Sequence, residues 1–552
     1  MTVWKKGTWT AVVPLLLVLA GCAAPASNRE MPTAMRNRAQ QSVMRQDLFS
    51  PPVPQQVKEL PRGAIFTREE THAFLERARK AESIAAPLGR CLAYPDPPGS
   101  HWMHDAVVAY CQYRFQAVPS FARVQQLIHA GKAAEVDRLF SGLLQAQLTR
   151  PTARGRLDRA FYQDFNNGSA AIRPTLDAWK RSSPSSAFAY AASGYAYVAM
   201  AGYERGNGYI ENTPQGSVKA MDQRLQQADT DLRHAIALDP RLTPVYSAMI
   251  KAGGLSLGRD YALDAARRGL AVAPDNSSIH DMLMWVDQPK WGGSLLAMQQ
   301  VTTEAQTHAA ENPLLRLLLS DVMVYEASNC ECEKSVELAA YPVAFDHMGS
   351  SGNMLLAGNA AHGSNQELEA VYLSEALRFD PAIEDARVNR IYDLIEFDEL
   401  AWAITEATRL LKRSSHNMYA WKVRAEAYEA MNDAPHAEAD LRAALEVDPV
   451  DMPTLVELGN LYVNVTHEWS NGWAIADELI KQHPHNPYGW LLRAHIQERQ
   501  PRAGLRDTVA YFDANFSNAP SLQKDVDEMR AVLDRQSRSD GEIPLVEPVA
   551  HR

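Results

Sequence analysis

The chain has 552 residues, 46% of them hydrophobic and 22% charged, which is too long for one compact core but ordinary in composition for a globular protein. Its formal charge is -11, and losing Lys5 and Lys6 with the first 21 residues takes it to -13. An acidic balance without a Lys/Arg run argues against nucleic acid as a partner and against electrostatic docking on anionic lipid.

At the start of the chain, Lys5 and Lys6 precede the apolar run 11–20, and Leu19-Ala20-Gly21-Cys22 follows. A basic segment, a short apolar stretch and small residues before a cut describe a secretory signal over residues 1–21. The last four residues resemble the lipobox of bacterial lipoproteins. That resemblance implies cleavage before Cys22 and acylation of its thiol, with Ala23 favouring the outer membrane, facing the periplasm. Inner-membrane anchoring and surface exposure are the alternatives. Residues 22–60, rich in Pro, Gln, Ser and Ala, predict an extended tether.

Residues 61–183 predict an α-helical cap over the apolar face with which the chain beyond Pro184 begins. Thr67-Arg-Glu-Glu70 has the pattern of a capping box. Between 124 and 148 the apolar residues Val124, Leu127, Ile128, Val136, Leu139, Phe140, Leu143 and Leu144 recur at helical spacing and predict one face. Arg156, Asp158, Arg159 and Asp164 suit surface pairs along a helix better than an acid/base set. His101 and His104 lack a third ligand in sequence reach and suit surface or capping positions. Cys91, Cys111, Cys330 and Cys332 allow three pairings. Closeness favours Cys91 with Cys111, while Cys330-Glu-Cys332 is either a tight local bridge or two free thiols. No second Cys/His pair at zinc spacing lies near it, so no metal is expected.

Beyond Pro184 the prolines are metered. The intervals Pro240–Pro274, Pro274–Pro313, Pro313–Pro381, Pro381–Pro449 and Pro449–Pro484 are 34, 39, 68, 68 and 35 residues. In the unit beginning at Met418, Trp421, Ala425, Tyr428, Ala437, Leu441, Ala444 and Pro449 fall at positions 4, 8, 11, 20, 24, 27 and 32. This spacing resembles the tetratricopeptide repeat, a helix–turn–helix unit of about 34 residues. The resemblance implies an all-α fold: an α-solenoid of stacked hairpins, preceded by the helical cap and the extended tether. Degenerate repeats with an inserted loop are expected over 184–330, further repeats over 331–500, and a capping helix and tail over 501–552. Residues 115–330 also resemble an uncharacterised bacterial envelope domain family joined to such repeats, which brings no activity with it.

Two units are expanded. The excess before Pro240 falls near residues 203–216, where Tyr203, Arg205 and Tyr209 are candidate binding residues in a loop. The second expansion holds Trp285 and Pro289-Lys-Trp291-Gly-Gly-Ser294, with Ser294 placed to cap the next helix. In the repeat family the exposed positions of first helices contact an extended peptide. Carried over, these are Tyr419, Lys422, Glu426, Glu429 and Asn460. Only Asn460 sits where the family's carboxylate-clamping members place asparagine, so recognition of a free C-terminus is not implied.

There is no phosphate-cradling glycine loop, no Gly-x-Ser-x-Gly elbow and no His-Glu-x-x-His. The expectation is a non-catalytic scaffold without a cofactor, binding an envelope protein or extended peptide. Its rivals are an enzyme acting on envelope glycan or peptide from the cap and the 202–216 loop, and a purely structural role through self-association.

Overall fold

The computed structural model describes residues 65–541 apart from 207, 209, 501 and 519. The signal segment, Cys22, the tether, Tyr209 and the tail beyond 541 lie outside the described residues. Every regular element among the described residues is helical, and consecutive helices pair as hairpins, so the fold is an all-α solenoid. The chain divides into two units, Met1–Ala382 and Ile383–Arg552.

The first unit opens with α1 (Arg68–Glu82), α2 (Pro87–Ala93) and α3 (His104–Phe115). Thr67 and Glu70 form the predicted reciprocal capping box on α1. A disulfide joins Cys91 of α2 to Cys111 of α3. These helices do not lie over the first repeat, as expected of the whole 61–183 stretch. They pack along the much later helix Gln366–Phe379, and α3 also crosses the 3-10 helix Pro313–Ser320. Arg378 explains the docking: its guanidinium, almost wholly buried, donates to the Cys91 and Pro95 carbonyls and to Asp96 and Glu375. A buried cation is stable only when paired and fully hydrogen-bonded in this way. Trp102 adds a 2.7 Å bond to the Phe345 carbonyl, and Arg114 a 2.8 Å bond to that of Phe379.

The predicted single face over 124–148 belongs to two helices, α4 (Phe121–His129) and α5 (Ala133–Thr149). Gly131, at φ 70°, turns the chain between them, a left-handed conformation that glycine adopts without strain. Leu139 consequently points outward, 40% exposed, while Val136, Phe140, Leu143 and Leu144 are buried. With α6 (Arg156–Phe165) and α7 (Arg173–Ser182) these helices build an aromatic core, in which Phe140 meets Phe161 edge-on at 5.7 Å and Trp179 at 5.6 Å. Helices α5, α6 and α7 cover α8 (Ala187–Arg205), the first helix of the array.

α8 pairs with α9 (Gln215–Leu238), α10 (Thr243–Ala252) with α11 (Arg259–Val272), and α12 (Ser277–Val286) with α13 (Leu295–Gln306). α14 (Asp321–Ser328) pairs with α15 (Lys334–Ala344), and α16 (Ser351–Ala361) with α17 (Gln366–Phe379). Pro240, Pro274 and Pro381 stand just past α9, α11 and α17, where the metering placed them. Ser294 caps α13 through the Ala297 N–H. The small residues permit close crossing: a Cβ on Gly194 would lie 2.6 Å from Leu232, and one on Gly358 2.6 Å from Leu373. The first expansion is mostly helix rather than loop, since α9 runs for 24 residues and Tyr203 to Arg205 form the last turn of α8.

The second unit repeats the scheme with α18 (Glu384–Glu396) on α19 (Leu400–Arg413), α20 (Met418–Ala430) on α21 (Ala434–Val447), and α22 (Met452–Asn460) joined to α23 (Trp469–Gln482). A π-helical turn, Leu461–Val465, extends α22. α24 (Tyr488–Arg499), α25 (Leu505–Phe516) and α26 (Gln523–Gly541) close the unit around Phe512, Val526, Met529 and Val532. No helix among the described residues is long and apolar enough to cross a membrane.

Candidate functional site

In the second unit the first helices α18, α20 and α22 present polar side chains where their apolar faces end. Ala420, Val423 and Ala427 bury one side of α20, and the other carries Tyr419, Lys422, Glu426 and Glu429. The structure separates these predicted residues by role. Lys422 is buried and its Nζ donates at 3.3 Å to Asp451, the residue that caps the N-terminus of α22, so it holds two first helices together. Tyr419 is 59% exposed. Asn460 is exposed and accepts from the Asn464 side chain at 3.4 Å.

Glu426 and Glu429 have no ion-pair or hydrogen-bond partner among the described residues, and neither has Glu457 of α22. All three side chains are exposed to solvent, and what acts on them is the mass of helix and the like charge around them rather than loss of access to water. The desolvating effect of that surrounding helix mass, followed by repulsion from Glu457, Glu429 and Glu396 and against the pull of Lys422, pushes Glu426 up to about 7. The same desolvation and Glu457 push Glu429 up to about 7 as well. Glu457 is raised by desolvation, against the pull of Lys422. Burial and the charges of Glu426 and Glu457 raise the Tyr392 phenol of α18. The inner side of this unit is thus a strip of three carboxylates that make no ion pair among the described residues, flanked by two tyrosines.

Tyr392, Glu396, Asp451 and Glu457 were not among the predicted site residues. Tyr392 stands 34 residues before Glu426, which stands 34 before Asn460, so stepping one period back from Glu426 finds it. Glu457 escapes the positional rule, lying between the positions that rule assigns to α22.

In the first unit, Tyr203 is 78% exposed and its base packs over Gly168, where a Cβ would meet it at 2.7 Å. The Arg205 guanidinium lies 4.8 Å over the Trp291 ring, which stands 4.4 Å from Trp285. The two expansions therefore meet each other. Asp158 and Asp164 are buried rather than paired on the surface. Asp158 accepts from Thr243 at 2.7 Å and from Asn276 at 2.9 Å, which ties α6 to the first two helices that follow α8 on the inner side. Asp164 accepts from the Phe121 N–H, and burial pushes it up to about 7. Both carboxyls are engaged in bonds between helices. His101 bonds Asp346 at 2.7 Å. Cys330 and Cys332 are joined as a local disulfide.

No family model matches the sequence, and no curated protein matches it. Among solved structures the chain is similar to yeast Tom70, with 10% identity, 86% of this chain and 96% of that chain covered, and a TM-score of 0.32. It is also similar to the P58(IPK) TPR domain, with 13% identity, 73% and 99% covered, and a TM-score of 0.21. The solenoid assignment stands on the helix pairing itself.

Proposed function

We propose that the protein is a non-catalytic, lipid-anchored scaffold that faces the periplasm and holds an extended, basic segment of an envelope protein along the inner side of its second unit. The observation that carries the reading is the row Glu426, Glu429 and Glu457, contributed by successive first helices and making no ion pair or hydrogen bond among the described residues, since the one cation within electrostatic reach of Glu426 and Glu457, Lys422, is bonded to Asp451. Carboxylates crowded in this way are costly to ionise until a cation arrives, so a Lys- or Arg-bearing chain gains Coulomb energy there. Tyr419 and Tyr392 offer aromatic faces for the aliphatic stems and charged heads of the same side chains. The address rests on Lys5, Lys6, the apolar run and Leu19-Ala20-Gly21-Cys22. Acyl chains on Cys22 supply the anchor.

The test is affinity capture from envelope extracts by the immobilised mature chain, beside a Glu426→Lys/Glu429→Lys variant. Proteins retained by the first and lost by the second support the reading. Identical retention by both overturns it.

A further inference from the structure

An open cavity of about 260 Å3 lies where α23 begins and α24 ends, lined by Glu468, Trp469, Ser470, Asn471 and Gln500. The local sequence fixes its walls. The π-helical turn Leu461–Val465 widens the end of α22, a device that frequently marks functional sites. His467 then reverses the chain at φ 58°, and the Glu468 N–H donates to the Tyr462 carbonyl at 2.8 Å. Arg499, at the end of α24, donates to the Val463 carbonyl at 3.0 Å and to the Asn464 side chain at 3.3 Å. That guanidinium ties α24 to the π-turn and so sets Gln500 beside the first turn of α23.

Trp469 is half-buried, packed on the cluster that includes Leu455, Val463 and Ile496. The His467 imidazole stacks on it at 5.2 Å with 13° between the planes, and the Arg499 guanidinium lies 6.0 Å from the centre of its ring. Neither His467 nor Arg499 lines the cavity, so the part of the indole that does is open to a guest. Asn471 Nδ2 donates to Glu468 Oε2 at 2.6 Å. This bond orients both side chains and leaves Glu468 Oε1 and the Asn471 side-chain carbonyl as acceptors.

The lining selects among ligands. It holds one carboxylate and no cation, which disfavours phosphates, sulfates and free carboxylates. Apart from the indole its side chains are polar, so a wholly apolar guest would strip their water without replacing it. A lone ammonium would use Glu468 and leave both amides idle. A volume of about 260 Å3, just below the ~300 Å3 at which pockets for drug-sized ligands begin, admits one small ring. Amides and carboxylates, each with two polar atoms side by side, match neighbouring hydroxyls that both donate and accept. A pyranose carries such hydroxyls at its rim and an apolar C–H face that lies flat on an aromatic ring. We propose that this cavity binds one pyranose ring of a neutral saccharide, which rests on Trp469 while Asn471, Gln500, Glu468 and Ser470 bond its hydroxyls. The open side lets a longer glycan continue into solvent. The site shares no residue with the carboxylate strip and does not depend on the role proposed for it.

Saturation-transfer NMR on the mature full chain tests this with the methyl pyranosides of glucose, galactose and N-acetylglucosamine, and with sorbitol as an open-chain control. The site predicts transfer to the ring C–H protons of at least one pyranoside and none to sorbitol, which has the hydroxyls without the ring face. Asn471→Ala and Gln500→Ala should each weaken that sugar by about tenfold, and Trp469→Ala should abolish the transfer. Trp469 also packs on the core, so if its variant fails to melt cooperatively the two amide variants decide. No transfer to any of the three sugars from the folded wild type, equal transfer to sorbitol, or sugar binding unchanged in both amide variants overturns the proposal.

Discussion

Arg390 and Glu406 are both fully buried and joined by a 2.5 Å charge-assisted hydrogen bond between α18 and α19. Arg387 and Arg409 bond the same carboxylate. Burial alone would raise Glu406, but Arg390, Arg387 and Arg409 outweigh it and hold the group at about 2. Such a knot is weak evidence for stability while intact and expensive to cut, because a buried charge is left behind.

Glu406→Ala is therefore expected to destabilise the second unit by about 3–5 kcal/mol in urea unfolding. The linkage has a definite sign. A carboxyl lowered by folding contributes stability that is present above its unfolded pKa and lost as pH falls through its folded one. Wild-type stability should thus decline from the ordinary carboxylate range down to about 2. A Glu406→Gln variant should lack that part of the decline.

The strip on the inner face carries the opposite sign. Glu426 and Glu429 are raised to about 7, so their contribution to stability falls as pH rises from the ordinary carboxylate range through neutrality. Glu426→Gln should flatten that fall and melt no lower than wild type above neutrality. A steeper fall in the variant would contradict the assigned crowding.

Cys91 and Cys111 clamp α2 to α3, and Arg378 reads the Cys91 carbonyl from α17. Replacing both cysteines by serine should cost about 3 kcal/mol, the chain-entropy value for a loop of this size. Hydrogen exchange should speed up in α1–α3 and in 366–379, and remain unchanged in 418–482. Uniform exchange across the chain would show that the N-terminal helices do not depend on the clamp.

Ala444 is fully buried in α21, so Ala444→Leu is expected to overpack the hairpin by about 1–3 kcal/mol, read as a lower melting temperature. Trp421 is only half-buried, with its Nε1–H on the Ser415 carbonyl and the Arg424 guanidinium 4.9 Å over its ring. Trp421→Ala should accordingly cost less than the roughly 3–5 kcal/mol of a fully buried tryptophan.

The metered prolines, the small residues at the crossings and the caps at Thr67 and Ser294 were legible because each acts within one period of its own position. The return of α3 to α17 was not. Arg114 and the Phe379 carbonyl are 265 residues apart, and no periodicity encodes such a contact. Asp158, Asp164 and Glu406 look like ordinary helix charges in sequence; only the surrounding helices make them buried acceptors. Four of the five predicted residues on the inner face do reach solvent there, whereas Lys422 is spent on Asp451. Glu457 lies between the positions assigned by the family rule, and its part in the strip emerges only from its interactions with Glu426 and Glu429.

The most direct measurement is a titration of the mature chain with a fluorescent, lysine-rich, unstructured peptide at about pH 6 and about pH 8. Because a bound cation favours ionised carboxyls, binding should tighten as pH rises through about 7. It should also weaken with salt, and it should be lost in Glu426→Gln/Glu429→Gln. Binding that ignores pH and survives both substitutions would contradict the role proposed for the strip.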